Sequence, residues 1–360
     1  MVASMTHPIE PPAAAREVRE RHRFDEEKLL AWWKDAVRPQ TEALTVRQFK
    51  GGQSNPTFWI HDGDRAWVLR KKPPGELLPS AHAVEREHRI MSALADTDVP
   101  VPEVSALCED PEVIGTPFFV MAYVEGRIFW NVQLPGVEPA ERTAIYEELA
   151  RVLAALHQVD HREVGLGDYG KGGQYVARQV ARWTKQYQAS RTGDVPAMEA
   201  LIRFLPEHLP ASDVTTLVHG DYRMDNLIFH PTEPRCLAVL DWELSTLGHP
   251  LADAAYTCML YDVALPNVGG LLGVDFAATG IPPEDEFLAR YVAHGGHEPP
   301  GGAAEWAYFK AFSLFRLAAI AQGVYKRSLQ GNASSDQASM FGAAVGHLAG
   351  IACRLVGVSP

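Results

Sequence analysis

The chain has 360 residues, 46% of them hydrophobic and 22% charged, which is ordinary soluble globular composition and long enough for two lobes, each with a core of its own. A formal net charge of −12, with no run of basic residues, argues against nucleic acid or an anionic membrane surface as partner. No apolar stretch reaches the roughly 18 residues that a membrane-spanning helix needs.

Residues 1–23 are Pro/Ala-rich and then charged, lack the apolar core of a signal peptide, and read as a flexible lead-in. Phe24–Val37 carries apolar residues at helical spacing with acids in its first turn, which predicts a helix. From Leu44 the period changes to short alternating runs, broken by Gly51-Gly52 and by the Asp62-Gly63-Asp64 turn. That pattern predicts a three-strand antiparallel meander with one Gly-rich connection and one tight hairpin. An amphipathic helix follows over His82–Leu94, then strands around Glu103–Leu107 and Phe118–Val124.

After Gly126 the pattern is mainly helical, with helices expected over Glu138–Gln158, Gly173–Ser190 and Met198–His208. Short strand-like pieces (LVH, LIF, LAVL) flank loops between Leu217 and Leu240. Helices are expected again over Glu305–Leu329 and Gln337–Leu355. Cys108, Cys236, Cys258 and Cys353 are scattered, without paired metal-ligand spacing, and read as buried reduced thiols of a cytoplasmic protein.

The chemistry concentrates in His219-Gly220-Asp221-Tyr222-Arg223-Met224-Asp225-Asn226, followed by Leu240-Asp241-Trp242-Glu243. One carboxylate, a carboxamide five residues on and a second carboxylate fifteen later, each beside an apolar strand-like run, suit phosphoryl transfer. That reaction asks a protein for positioning and charge neutralisation more than for covalent chemistry. Asp241 and Asn226 offer the oxygen ligands that Mg²⁺ prefers, with nucleotide phosphates completing the shell. Asp221 would orient the acceptor hydroxyl and take its proton.

HGDYRMDN resembles the catalytic loop of the aminoglycoside phosphotransferase and choline kinase family, and LDWE stands where protein kinases carry D-F-G. The resemblance implies an α+β, bilobal protein-kinase-like fold, with a small antiparallel-sheet N-lobe at 24–124 and a larger, mainly helical C-lobe at 125–360. It implies ATP as co-substrate, Mg²⁺ held by Asn226 and Asp241, and a small-molecule hydroxyl acceptor; a homodimer is left open. His219 takes the place of the catalytic-loop histidine, an orienter more than a proton carrier. FKGGQSNPTFWI resembles the phosphate-covering turn, with backbone N–H groups at Gly52, Gln53, Ser54 and Asn55 doing the work. Arg70 in VLRKKPPG stands where protein kinases place a phosphate-contacting lysine, and Lys71 and Lys72 stay open as alternatives. Glu87 would be its helix-borne partner, and Met121, Tyr123 and Val124 the adenine-facing segment.

Each feature has a plain structural reading as well. Gly51-Gly52 alone is a hairpin turn, Arg70–Lys72 a solvated strand end and Glu87 an exposed helix charge. Their order along the chain carries the functional reading. Asp253 in GHPLADAAY is expected to tie loops together. Trp32, Trp33 and Trp59 are expected to pack, and no His arrangement suggests a transition-metal site.

From Tyr261 onward eight acids face six bases, a nearly neutral region that would give a polycationic aminoglycoside little to pair with. GGQSNPTFWI, VLRKKPPGELLPSAHAVEREHRI and FRLAAIAQGVYKRSLQGNAS resemble the kinase-like domain fused to acyl-CoA dehydrogenases. That resemblance implies a hydroxyacyl or hydroxyacyl-CoA acceptor, which Lys310, Arg316, Lys326 and Arg327 would suit. An aminoglycoside or choline-like amino-alcohol kinase is the alternative. A nucleotide-binding pseudokinase scaffold is the alternative of another class, though it would normally have lost one of these carboxylates.

Overall fold

The structure is a computed structural model that describes residues 10–50, 55–73, 82–264, 269–329 and 335–360. These fall into two compact units, one of residues 1–126 with 237–243, the other of residues 127–236 with 244–360.

The first unit is built on a sheet that includes β1 (Ala15–Arg16), β2 (Thr45–Phe49), β3 (Thr57–His61), β4 (Ala66–Lys71), β5 (Val104–Cys108) and β6 (Phe118–Ala122). The strand order is β1-β2-β3-β4-β6-β5 and every pairing is antiparallel. The β3–β4 hairpin is locked by Asp62, whose Oδ1 accepts from the N–H groups of Asp64 and Arg65 and whose Oδ2 accepts from Trp67 Nε1 at 2.9 Å. Gly63 supplies the positive φ of 93° that the turn requires.

Helix α1 (Glu26–Ala36) begins where Asp25 Oδ1 caps the N–H groups of Glu27 and Lys28, each at 3.0 Å. Its Leu29 and Trp33, one turn apart, are buried with Phe58, Ile60, Trp67, Leu69, Phe118 and Val120. Helix α2 (Val84–Leu94) buries Val84, Ile90, Met91 and Leu94 together with one charged residue, Glu87. A short α3 (Pro111–Ile114) ends on Gly115 in the left-handed conformation. Of the expected lead-in, residues 10–23 are described and do not stand apart. Ala15 and Arg16 pair with Phe49 and Gln48, and Arg19 N–H donates to Gln48 Oε1 at 3.0 Å.

The second unit is mainly helical. Its helices are α4 (Pro139–Gln158), α5 (Tyr175–Ser190), α6 (Pro196–Glu207), α7 (Pro250–Cys258), α8 (Phe276–Thr279), α9 (Glu284–Ala293), α10 (Gly302–Arg327) and α11 (Ser335–Leu355). Helix α10 packs on α5, α7 and α11 and buries Phe309, Phe312, Leu314 and Phe315, with the charged Lys310 and Arg316 buried among them. Between α6 and α7 run the short strands β7 (Thr216–Val218), β8 (Leu227–Phe229), β9 (Cys236–Val239, which crosses into the first unit) and β10 (Thr246–Gly248). β7 pairs antiparallel with β10, Leu217 opposite Leu247. This buried pair leaves His219-Gly220-Asp221 at the C-terminal end of β7. All four cysteines are buried free thiols, and among the described residues no helix is long and apolar enough to cross a membrane.

Candidate active site

In the first unit the site is a charge relay centred on Arg70. Side chains alternate along β4: Trp67, Leu69 and Lys71 turn toward α1, and Val68 and Arg70 toward the other face. Lys71 is accordingly buried on the α1 side, its ammonium 5.2 Å from the Phe24 ring centre and 3.3 Å from the Ile114 carbonyl oxygen. Lys72 pairs with Glu85 at 2.9 Å. Arg70 alone of the three meets the acidic cluster. Its Nε lies 2.9 Å from Glu87 Oε2 and 3.1 Å from Oε1, and its Nη2 donates to Asp241 Oδ1 at 2.6 Å. Glu243 stands 3.9 Å away.

Burial pushes the Glu87 carboxyl up to about 7, against the pull of Arg70, and the surrounding carboxylates hold the Arg70 guanidinium firmly charged. Asn55 completes the set. Fully buried, it donates from Nδ2 to Glu87 Oε1 at 2.8 Å, while its Oδ1 meets His82 Nδ1 at 3.0 Å. Asp241 sits in the left-handed region, with φ 65°, a conformation that Asp tolerates better than most residues but still at a cost.

In the second unit the loop after β7 is pinned from beneath. Asp253 of α7 accepts from the N–H groups of His219 at 2.6 Å and Gly220 at 2.8 Å. Burial pushes the Asp253 carboxyl up, but the His157 imidazole beside it, then His219 and the Gly220 N–H, hold it below the ordinary carboxylate value. His219 is wholly buried, and its Nδ1 accepts from the Asp221 N–H at 3.2 Å. Gly220 has φ 82°, and a Cβ there would lie 2.6 Å from the Leu244 carbonyl oxygen, so the loop admits no side chain at that point.

Tyr222 turns inward, its hydroxyl donating to the Leu149 carbonyl at 3.0 Å, while Asp221 stays partly exposed. Asn226 Nδ2 donates both to the Asp221 carbonyl, at 2.9 Å, and to its Oδ2, at 3.2 Å. Arg223 lies between carboxylates, its Nε 3.1 Å from Asp221 Oδ1 and its Nη2 3.1 Å from Asp225 Oδ2.

Helix α7, which carries Asp253, starts on His249. The imidazole is buried and caps the helix by accepting the Leu251 N–H on Nδ1, with Nε2 on Ser212 Oγ at 2.8 Å. Accepting on Nδ1 requires the neutral ring, protonated on Nε2. Burial lowers its pKa from 6.5 to about 4. A histidine depressed in this way contributes stability above pH 6.5 that drains away as the pH falls toward 4, at most about 3 kcal/mol. His249→Asn keeps a capping oxygen without the titration. Its urea midpoint is therefore expected to fall less steeply than that of the wild type between pH 6.5 and 4.5. Parallel slopes would mean that the wild-type ring is not neutral.

Of the residues named for the phosphate-covering turn, Gly52, Gln53 and Ser54 lie outside the described residues. Asn55 meets the cluster through its side chain, as a brace for Glu87, where a backbone contact was expected. Along the expected adenine-facing segment, the N–H groups of Ala122 and Tyr123 are spent on the Glu103 and Ala66 carbonyls, so the ladder claims much of the run from Met121 to Val124. The basic side chains expected to greet an anionic acceptor are mostly engaged. Lys310 Nζ holds Asp262 and Glu284 at 2.8 Å each, Lys326 Nζ donates to the Ala189 carbonyl, and Arg316 is buried beneath the His219–Asp221 loop. Arg223 and Tyr256 were not singled out as site residues, and Arg316 only as one of the cations that would suit an anionic acceptor. Arg223 could have been found as the cation between two loop acids, whereas Tyr256 and Arg316 are remote in sequence and carry no local signal.

Solved structures with this architecture include choline kinase from Cryptosporidium parvum, with a TM-score of 0.66 at 13% identity, covering 92% of this chain and 98% of that one. A Ralstonia eutropha JMP134 protein assigned as an aminoglycoside phosphotransferase is nearer, with a TM-score of 0.85 at 50% identity, covering 93% and 99%. The fold is therefore the bilobal kinase-like fold, and the molecule is a small-molecule phosphotransferase. It belongs to the phosphotransferase enzyme family, whose model matches residues 45–307.

Among curated relatives, mouse acyl-CoA dehydrogenase family member 10 is 53% identical over 84% of this chain but only 28% of its own length. Human acyl-CoA dehydrogenase family member 11 is 44% identical over 90% of this chain and 42% of its own length. The chain thus spans well under half of these relatives.

Proposed function

We propose that this chain transfers the γ-phosphate of ATP to a hydroxyl of a small acyl-type molecule, in the cytoplasm, with Asp221 as the base. The single observation that carries the base assignment is the Asn226 carboxamide, bonded to both the carbonyl and the carboxylate of Asp221. It holds one carboxylate oxygen through Nδ2, and its Oδ1 is the hard donor proposed for the metal. By donor chemistry, Asn226 Oδ1 and the Asp241 carboxylate are oxygens of the kind Mg²⁺ prefers, and they would hold the ion together with nucleotide oxygens. When bound, the ion would neutralise charge on the phosphate oxygens.

Asp221 accepts a hydrogen bond from the acceptor hydroxyl and aligns its lone pair for attack on the γ-phosphorus. It takes the proton as the new O–P bond forms and ADP departs. Arg70, steered by Glu87 and Asn55, presents a fixed positive charge for the nucleotide phosphates. Kinase-like relatives by fold were crystallised with ADP and hygromycin B and with GDP, which supports a nucleotide as the donor.

The acceptor class rests on the acyl-CoA dehydrogenase relatives, whose longer chains include a region like this one. An ATP-consumption screen across hydroxyacyl-CoAs, hydroxy acids, choline, amino alcohols, sugars and aminoglycosides tests it. A hydroxyacyl compound is expected to exceed kanamycin-like compounds in kcat/KM, since specificity is differential transition-state binding. Efficient aminoglycoside phosphorylation, with resistance conferred on a host, would sink the acyl reading and leave the kinase reading intact. Because Arg316 is buried, its replacement is no longer expected to act on the KM of an anionic acceptor.

A further inference from the structure

We infer that Arg316 and Tyr256, distant from the catalytic loop in sequence, are positioning residues that set the orientation of the Asp221 carboxylate. The inference rests on the reading of Asp221 as the base. Arg316 belongs to α10 and is buried. Its Nη2 donates to the carbonyl of Gly220, the residue immediately before Asp221. Its guanidinium carbon lies 4.7 Å from the Tyr256 ring centre and 5.4 Å from that of Trp183, so the cation is held between an aromatic ring of α7 and one of α5. A buried guanidinium stacked on two rings is fixed in plane as well as in place. Its Nε is buried and meets no partner among the described residues, which is a costly arrangement for packing alone.

Tyr256 is the second half of the device. Its ring packs on Arg316 at 4.7 Å, and the Asp221 carboxylate lies close enough to act on its phenol. Burial, and then the Asp221 carboxylate beside it, keep the phenol protonated, so it can only donate toward that carboxylate. Asp221 is thereby constrained from three sides. Asp253 grips the two N–H groups before it, Arg316 grips the Gly220 carbonyl, and Tyr256 and Asn226 address the carboxylate itself. Gly220 leaves the chain no other route, because its left-handed φ and the nearby Leu244 carbonyl allow neither a side chain nor a free swing. A base misplaced by even an ångström loses much of its effect. Arg316 and Tyr256 therefore act on kcat while touching neither nucleotide nor acceptor.

The test uses the full chain and ATP hydrolysis with water as acceptor, together with hydrogen exchange, which needs no activity. Tyr256→Phe, Arg316→Met, Arg316→Lys, the Phe/Met double variant and Asp221→Asn are compared. Each single replacement is expected to lower turnover by about tenfold or more with the Kd for ATP within about twofold, and Arg316→Lys to recover part of the loss. The double variant is expected to lose little more than the worse single, because both residues act through one carboxylate. Exchange in the 217–224 segment is expected to rise by about tenfold or more in Arg316→Met while α4 and α11 exchange as in the wild type. Wild-type turnover and wild-type exchange of the loop in folded Tyr256→Phe and Arg316→Met would overturn the inference, as would losses that simply multiply in the double variant. If Asp221→Asn alone retains full turnover, the base assignment fails instead. If Asp221→Asn loses turnover and the other two do not, only the positioning role fails.

Discussion

Asp221→Asn is expected to cut kcat by about two orders of magnitude or more while leaving the Kd for ATP within about twofold. The substitution changes one atom and keeps the shape of the side chain. Its carboxamide oxygen can still accept from Asn226 Nδ2, and the grips of Asp253 on His219 and Gly220 run through the backbone, which the change does not touch. What goes is the capacity to take a proton, together with the charge that pairs with Arg223. A loss confined to kcat would therefore report a group that acts in the transition state and not in nucleotide binding. Single-turnover transfer from ATP, with melting temperature as a check on folding, separates the two. Wild-type turnover in a folded variant would end the assignment of Asp221 as base.

How much of this was legible in the sequence depends on how local each feature is. The meander, the Asp62 hairpin, helix α1 and the helices α2, α4, α5, α10 and α11 announce themselves through period and caps, and the structure places them within a few residues of expectation. Asp253 was readable as a loop tie, and it is one. The choice among Arg70, Lys71 and Lys72 was open in the motif. Pairing with β3 and β6 places Leu69 on the buried core face and its neighbour Arg70 on the other, where Arg70 meets Glu87 and Asp241.

What stayed hidden depends on long-range packing. Two-residue β1 is too short to carry a period, and its place is set by pairing with Phe49 and Gln48. Asn55 looked like a backbone donor because its side-chain partner, Glu87, is 32 residues away. Arg316 looked like a cation available to an anionic acceptor because charge does not reveal burial. Its contact with the Gly220 carbonyl, 96 residues earlier, has no local trace in the sequence. Lys310 was misread for the same reason, as its two acidic partners lie 26 and 48 residues back in the chain.

Asp241→Ala is expected to abolish the Mg²⁺-dependent part of ATP binding, weakening Mg-ATP by about a hundredfold or more, equivalent to about 2.7 kcal/mol. The carboxylate is the strongest hard ligand proposed for the ion, and Asn226, neutral and monodentate, cannot hold it alone. The alanine variant carries a second change that must be separated. Asp241 has φ 65°, which Ala adopts less willingly than Asp or Asn, so some of the loss could come from the backbone. Asp241→Asn resolves this. It keeps the left-handed preference and much of the volume while removing the charge, and it is expected to lose nearly as much Mg-ATP affinity as alanine.

Arg70 gives an internal control. In the alanine variant Arg70 loses its 2.6 Å contact with Asp241 and in the asparagine variant the negative charge of that partner, while Glu87 stays in both, so a cation less tied by carboxylates faces the phosphates. ATP binding measured in EDTA is then expected to hold steady or rise slightly. Calorimetry with and without Mg²⁺ on the wild type and both variants reads these outcomes directly. Loss of affinity in EDTA as well would point to local unfolding around Arg70. Unchanged Mg-ATP affinity in both variants would mean that the metal is held elsewhere.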